Sequence, residues 1–496
     1  MLGSQSSNSW TARFGGLDAR AWLWIGGTAL VPAAVAVLEL GRIHPDEVYQ
    51  LLEPAYTRAF GYGVRSWEWE VGLRNWALPG LFSGMLRLCA ALGIDHPRAY
   101  RAVLALPQYA LHAATLAAVQ VYAARRVGGS LALWAMLAVG LFAPVVSFAG
   151  RTLSESFSAA FVVIACAVLD GRSSRPGWAS AERDVDAASS DATRGAGWPW
   201  RPFAAGVALG LAVVARYPSG VFVVTAIGWL LAARELKALG WLVAGGALVA
   251  ALLALLDWAT WGRPFHSLFA YLDFNLLSGK AARYGRKPPL FYIARLVLWA
   301  PLWAWPAAAW AARQKAARIS LPALLAFVYL LVISVTPHKE PRFAYPALVL
   351  FAMAAAPVIL EAIERRVSAE RRRLVCVGLV ALSLAPWFFR TGLHAERGDE
   401  FRAIVRAARD ATGLLIVNEG PWGAGGHFYI GKNIPWLASE KGTDPAYLAA
   451  LEQDQYNRAI TYDDFGLPAL ERAGFRVTER TGRATTLARA GGGVQR

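Results

Sequence analysis

His44-Pro45-Asp46-Glu47 follows directly on the first long apolar stretch of the chain and opens a segment, Asp46 to Trp69, dense in carboxylates and aromatics. Carboxylates at a bilayer edge are costly to desolvate, so acids there point to function. Pro45 suits the first turn of a helix. Helical spacing then sets Asp46, Gln50 and Glu53 on one face, with Glu47 beside it. Such a stripe suits general-base work on a hydroxyl and hydrogen bonding to a polyol. The plainer reading is an amphipathic helix lying in the interface with its acids solvated. Trp67 and Trp69, downstream of Gly61-Tyr62-Gly63, fit either aromatic walls for a sugar or an interfacial anchor.

Three further polar patches lie between apolar blocks. Arg151-Thr152-Leu153-Ser154-Glu155 reads as a helix start capped by Thr152 or Ser154, or as part of a polar cavity. The stretch from Asp257 through Asp273-Phe274-Asn275, Lys280 and Arg283-Tyr284 to Tyr292 is cationic and aromatic on the expected external side. That departs from the positive-inside trend, and an anionic lipid phosphate would favour it. His338-Lys339-Glu340-Pro341-Arg342-Phe343 groups three potential cations around one carboxylate. It suits a departing phosphate, or else a salt-bridged hairpin whose cations snorkel.

The elements that must hold these groups are membrane helices. Of 496 residues, 56% are hydrophobic, 21 are Trp and only 17% are charged, against a soluble norm of about 25%. The apolar residues fall in blocks near the roughly 20 residues that span a bilayer. The net charge of +16 gathers in short connections such as Arg125-Arg126, Arg234 to Lys237 and Arg365 to Arg373, as cytoplasmic loops require; nucleic-acid binding is not expected. Cys89, Cys166 and Cys376 lie in apolar segments without metal spacing and read as small buried hydrophobes.

The fold class expected is an all-α polytopic membrane protein of about 11–12 segments, with a small C-terminal α/β extramembrane domain. A membrane module covers 1–389, with a first external loop 42–75, a cytoplasmic loop 171–201 and an external loop 257–290. Residues 390–496 form the small soluble domain on the non-cytoplasmic side. Counting every apolar block as a crossing leaves the parity off by one between residues 76 and 170, so block 76–93 or part of 131–149 is expected to be half-inserted or split. The run Gly420-Pro-Trp-Gly-Ala-Gly-Gly426 lacks nucleotide-binding spacing and reads as a turn.

Together the motifs HPDExxQLLE, FGYGxxSWEW, RTLSESF, DFNLLSGKAARYGRKPPLFY and HKEPRF resemble the dolichyl- or polyprenyl-phosphate-mannose-dependent mannosyltransferases (glycosyltransferase family 22), in the family's order. The group serves asparagine-linked glycan and glycosylphosphatidylinositol assembly. The resemblance covers about residues 40–350. Glu155 stands where the family often has Asn, and Trp258 where many members have Ser.

The resemblance implies a GT-C fold in the bacterial inner membrane or the endoplasmic reticulum, with its active site on the outer or luminal side. It implies inverting transfer of mannose from a polyprenyl-phosphate-mannose donor to a hydroxyl of a glycan or glycolipid, forming an α-linkage. Asp46 is then the candidate base, with Glu47 orienting it. His338, Lys339, Arg342 and Arg283 receive the donor phosphate. Gln50, Glu53, Trp67, Trp69, Arg151, Asn275 and Tyr284 bind substrate. Phosphate leaves readily, so no cofactor is required, although a divalent metal bridging Asp46 or Glu47 to phosphate is compatible. Alternatives are another polyprenyl-phosphate-linked sugar, or a lipid-linked glycan transporter, which would show inverted repeats.

Overall fold

A computed structural model describes residues 17–170, 200–313, 319–389 and 392–489. The expected cytoplasmic loop 171–201 lies outside the described residues apart from Trp200 and Arg201. The chain forms two compact units. One combines the segments 1–34 and 107–393; the other combines 35–106 and 394–496.

The first unit is a bundle of apolar helices. Tyr345–Arg366 is the most enclosed of its long apolar helices, packed against Gly129–Gly140, Ser154–Leu169, Ala304–Arg313 and Leu321–Val335. Between apolar helices in lipid, close backbone approach replaces hydrophobic drive, which favours small residues at the seam. Trp200–Ala215 and Leu236–Trp261 meet in this way. A Cβ on Gly206 would stand 2.0 Å from the Leu242 carbonyl oxygen, and one on Gly245 would stand 2.1 Å from that of Phe203. Leu23, Val224, Leu252, Phe327 and Val335 remain exposed, the pattern of side chains that face acyl chains. Five helices among the described residues are long and apolar enough to cross a bilayer, and shorter apolar helices accompany them. The chain is a multi-pass integral membrane protein.

The block at 131–149 is broken: one helix ends at Gly140, and a second, Ala143–Phe148, starts with Pro144 in its first turn. Block 76–93 becomes Ala77–Ala91, a 15-residue helix that packs on Glu53–Phe60. At 1.5 Å per residue it is about 22 Å long, short of the roughly 30 Å hydrocarbon layer.

The second unit carries the C-terminal α/β domain. Strands β1 (Leu414–Val417), β2 (Trp436–Ser439) and β3 (Arg458–Thr461) are parallel, and β5 (Ala484–Arg489) and β4 (Phe475–Thr481) extend the sheet antiparallel in the order β2-β1-β3-β5-β4. β1 is buried throughout, so it reads as a continuous apolar run, as a parallel strand covered on both faces should. The core beneath it joins Leu415, Val417, Tyr447, Ala459, Phe475 and Leu487.

Residues 42–75 pack into this same unit. Arg42 and Glu396 exchange backbone hydrogen bonds of 3.0 and 2.8 Å. The Tyr49 and Tyr100 hydroxyls donate to the carbonyls of Pro421 and Phe428.

Candidate active site

The three acids of the first loop have different environments. Asp46 stands at the start of a π-helix, Glu47–Leu52, which passes into an α-helix, Glu53–Phe60. The wider π turn changes the facing expected from α spacing, so Asp46, Gln50 and Glu53 do not share one exposed stripe. Glu53 is fully buried, and its carboxylate accepts the backbone N–H groups of Val64 (2.8 Å), His427 (3.0 Å) and Phe428 (2.8 Å). Glu47 is also buried and accepts from the Ile43 N–H at 2.5 Å. Asp46 keeps 21% of its side-chain surface exposed, and its Oδ1 lies 3.1 Å from His44 Nδ1. Of the three carboxylates it is the most exposed.

The flanking residues brace the loop. Gln50 donates to Glu68 (3.2 Å), and Glu68 also accepts from Arg74 (2.7 Å). Trp69 is buried with its ring 4.4 Å from that of Trp76, whereas Trp67 is half-buried. The glycine run ends in a short helix, Gly426–Ile430, whose first N–H groups meet the Glu53 carboxylate. Gly426 has φ +65°, and a Cβ there would stand 2.5 Å from that carboxylate. Both the backbone angle and the close approach therefore call for glycine.

The cationic cluster belongs to the first unit. Glu155 is fully buried in the first turn of Ser154–Leu169, 2.9 Å from Arg216 and 3.3 Å from Arg342. Ser154 accepts from Arg216 (3.3 Å) and donates to Glu155 (3.0 Å), and no side chain caps the helix. A helix thus starts at this motif without the expected cap, and its polar side chains pair among themselves. Glu340 joins Arg342 Nε (2.6 Å) to His338 Nε2 (2.9 Å). The Arg216 and Arg342 guanidinium groups lie 4.4 and 5.2 Å from the centre of the Phe343 ring, so cation–π attraction reinforces the ion pairs.

Lys339 is buried, and its ammonium donates to the carbonyls of Thr336 and Lys287 (3.0 Å). With Lys287 N–H donating to Pro337 (3.1 Å), this ties the segment 257–290 to the hairpin. Burial pulls the ammonium pKa below its ordinary value. Tyr284 lies edge-on to His338 at 6.3 Å and is exposed, as is the adjacent Arg283. Asn275 donates back to the Tyr271 carbonyl (3.0 Å), and Arg151 is buried.

Arg216 was not distinguished by the sequence motifs. The signal was a lone arginine closing an apolar block before Tyr217-Pro218, a costly place for a charge unless it is paired. Asp257 has a second buried arrangement, accepting from the Ser267 N–H (2.9 Å) and hydroxyl (2.6 Å). Among the described residues no three His, Cys, Asp or Glu side chains form a group that could hold a metal.

Residues 22–409 match the model of the Alg9-like mannosyltransferase family. The chain belongs to that family. A GPI mannosyltransferase 3 from Yarrowia lipolytica is 29% identical over 354 residues, covering 69% of this chain and 63% of that protein. A GPI mannosyltransferase 3 from Candida albicans is 24% identical over 372 residues, covering 71% of this chain and 65% of that protein. This Alg9-like chain thus spans a little under two thirds of the length of either relative. Its fold is similar to that of ArnT from Cupriavidus metallidurans, in a crystal structure bound to undecaprenyl phosphate. The TM-score is 0.60 at 12% identity, over 96% of this chain and 99% of that one. The Alg9-like chain therefore has the GT-C architecture.

Proposed function

We propose that the protein is a membrane mannosyltransferase that moves mannose from a polyprenyl-phosphate-mannose to a hydroxyl of a glycan or glycolipid, with inversion, forming an α-linkage. The observation that carries this reading is the family match over residues 22–409, which contains all the polar motifs. The names of the two fungal relatives support mannose as the sugar.

In the proposed step the acceptor O–H gives its proton to Asp46 as its oxygen attacks the anomeric carbon. The bond from that carbon to the phosphate oxygen breaks, and polyprenyl phosphate leaves with the electron pair. Asp46 is assigned as base because Glu47 and Glu53 are buried on backbone N–H groups. Glu47 fixes the turn that presents Asp46. His338, Lys339, Arg342 and Arg283 serve the departing phosphate through charge-assisted hydrogen bonds. Within that set His338 and Arg283 reach solvent, while Lys339 and Arg342 hold the hairpin in shape. Gln50, Trp67, Trp69, Arg151, Asn275 and Tyr284 remain the proposed surroundings of the substrates, and Glu53 positions the loop.

The test is transfer from radiolabelled polyprenyl-phosphate-mannose to glycolipid acceptors by the full chain in nanodiscs. Arabinose- and glucose-bearing donors run alongside. Labelled product from the mannose donor, lost in Asp46→Asn, is expected. Product from another donor alone would overturn the assignment of mannose.

A further inference from the structure

Asp257 is fully buried in the last turns of Leu236–Trp261, a helix long and apolar enough to cross a bilayer. Its Oδ2 accepts the Ser267 N–H and hydroxyl, whereas its Oδ1 has no hydrogen-bond partner among the described residues. An acid left partly unsatisfied in an apolar segment is costly, and such a group points to function.

The contact with Ser267 continues in a fixed direction. Because the Ser267 O–H donates to Asp257, the Ser267 oxygen must accept from the Tyr217 hydroxyl, 2.5 Å away. Tyr217, Ser267 and Asp257 therefore form one line of hydrogen bonds across three segments. Links in such a line polarise one another and strengthen together.

Each end of the line leads to polar residues of the proposed site. Tyr217 opens the 3₁₀ turn Tyr217–Ser219, directly after Arg216. The far end of that turn is held by Ser219, whose hydroxyl lies 2.6 Å from that of Ser158 on Ser154–Leu169. Pinned at both ends, the turn sets where the Arg216 side chain departs. Arg216 pairs with Glu155, which also pairs with Arg342. At the other end, Ser267 lies in the first turn of His266–Leu272, a helix with no capping hydrogen bond from its own N-cap side chain, Phe265. Asp257 takes up one of the N–H groups that a helix start leaves open. That helix runs into the π-helix Asp273–Leu277, which carries Asn275 and precedes Arg283 and Tyr284. The Tyr271 ring, 5.2 Å from that of Tyr217, joins the two limbs again.

We propose that Asp257 is a positioning residue for the lipid-phosphate site: through Ser267 and Tyr217 it holds Arg216 and the segment 273–284 in register with the His338–Arg342 hairpin. The inference rests on the transferase reading, which assigns the leaving phosphate to that hairpin and to Arg283. Asp257 itself touches no substrate and acts through the cations it places.

The test is binding of undecaprenyl phosphate to the full chain in nanodiscs, together with transfer kinetics from polyprenyl-phosphate-mannose. Tyr217→Phe and Ser267→Ala each cut the line while leaving Asp257 in place, and Asp257→Asn weakens its acceptor end. Each variant should weaken binding of the lipid phosphate and raise the donor KM by about three- to tenfold, the worth of one hydrogen bond. The kcat and the acceptor KM should keep their wild-type values. The double variant of Tyr217 and Ser267 should lose no more than either single one, because both break the same line. Tyr217 is half-buried and its phenylalanine variant keeps the ring on Tyr271, so this variant reports on the site even where Asp257→Asn changes stability. A wild-type donor KM in Tyr217→Phe, losses that add in the double variant, or a fall in kcat alone would overturn the proposal and leave the transferase reading standing. A wild-type chain that binds no undecaprenyl phosphate would overturn both.

Discussion

The carboxylate of Glu53 accepts the backbone N–H of His427 at 3.0 Å, joining positions 374 residues apart. The next N–H, of Phe428, and that of Val64 also donate to it. The segment 42–75 and the C-terminal domain thus share one buried carboxylate. Glu53→Ala leaves three N–H groups unsatisfied and should lower stability by about 3 kcal/mol or more. Thermal unfolding in detergent reads this directly, and an unchanged midpoint would refute the keystone role.

Asp46→Asn keeps the shape of the side chain and removes its basicity. Transfer should fall about 10²–10⁴-fold, the usual contribution of a positioned base, with thermal stability unchanged. Wild-type turnover would remove Asp46 from the mechanism. Glu47→Gln, which alters a buried carboxylate held by Ile43 N–H, should cost stability as well as rate.

Glu155 lies between Arg216 and Arg342 inside the membrane unit. Arg216→Met strands part of a buried charge, and about 3–5 kcal/mol of destabilisation is expected. Pairing it with Glu155→Gln should recover a good part of that loss. A double-mutant cycle without coupling would show that the arrangement is not an energetic unit.

Gly206 faces the Leu242 carbonyl at a distance that leaves no room for a methyl group. Gly206→Ala must push Trp200–Ala215 away from Leu236–Trp261, at a cost of about 1–3 kcal/mol. Gly228, with open space around its Cβ position, is the control, and its alanine variant should unfold at the wild-type midpoint.

Membrane helices and the apolar strand β1 are legible because each announces itself within its own segment, by a block of bilayer length or a short buried run. The helix and strand after Leu467 follow the same local logic. What could not be read was long-range. The acidic stripe looked exposed because its partners stand at His427 and Phe428, and the π turn over Glu47–Leu52 broke the assumed periodicity. Arg216 lies 61 positions from Glu155 and 126 from Arg342 in the chain, pairings that no local pattern carries. The motifs named Asp46 and His338 by type, while the structure distinguishes them from Glu53 and Lys339, whose polar groups hold backbone in place.

The second unit is assembled from two stretches of chain, 35–106 and 394–496, with residues 107–393, most of the helical bundle, between them. During synthesis at about 5–20 residues per second, the early stretch waits tens of seconds for its counterpart. Until residues 427–428 emerge, Glu53 has water where it later has backbone N–H groups. Nascent chains stopped before residue 394 should therefore expose the first loop to protease, and full-length chains should protect it. Completion of the last fifth of the polypeptide is thus the event that matures its beginning.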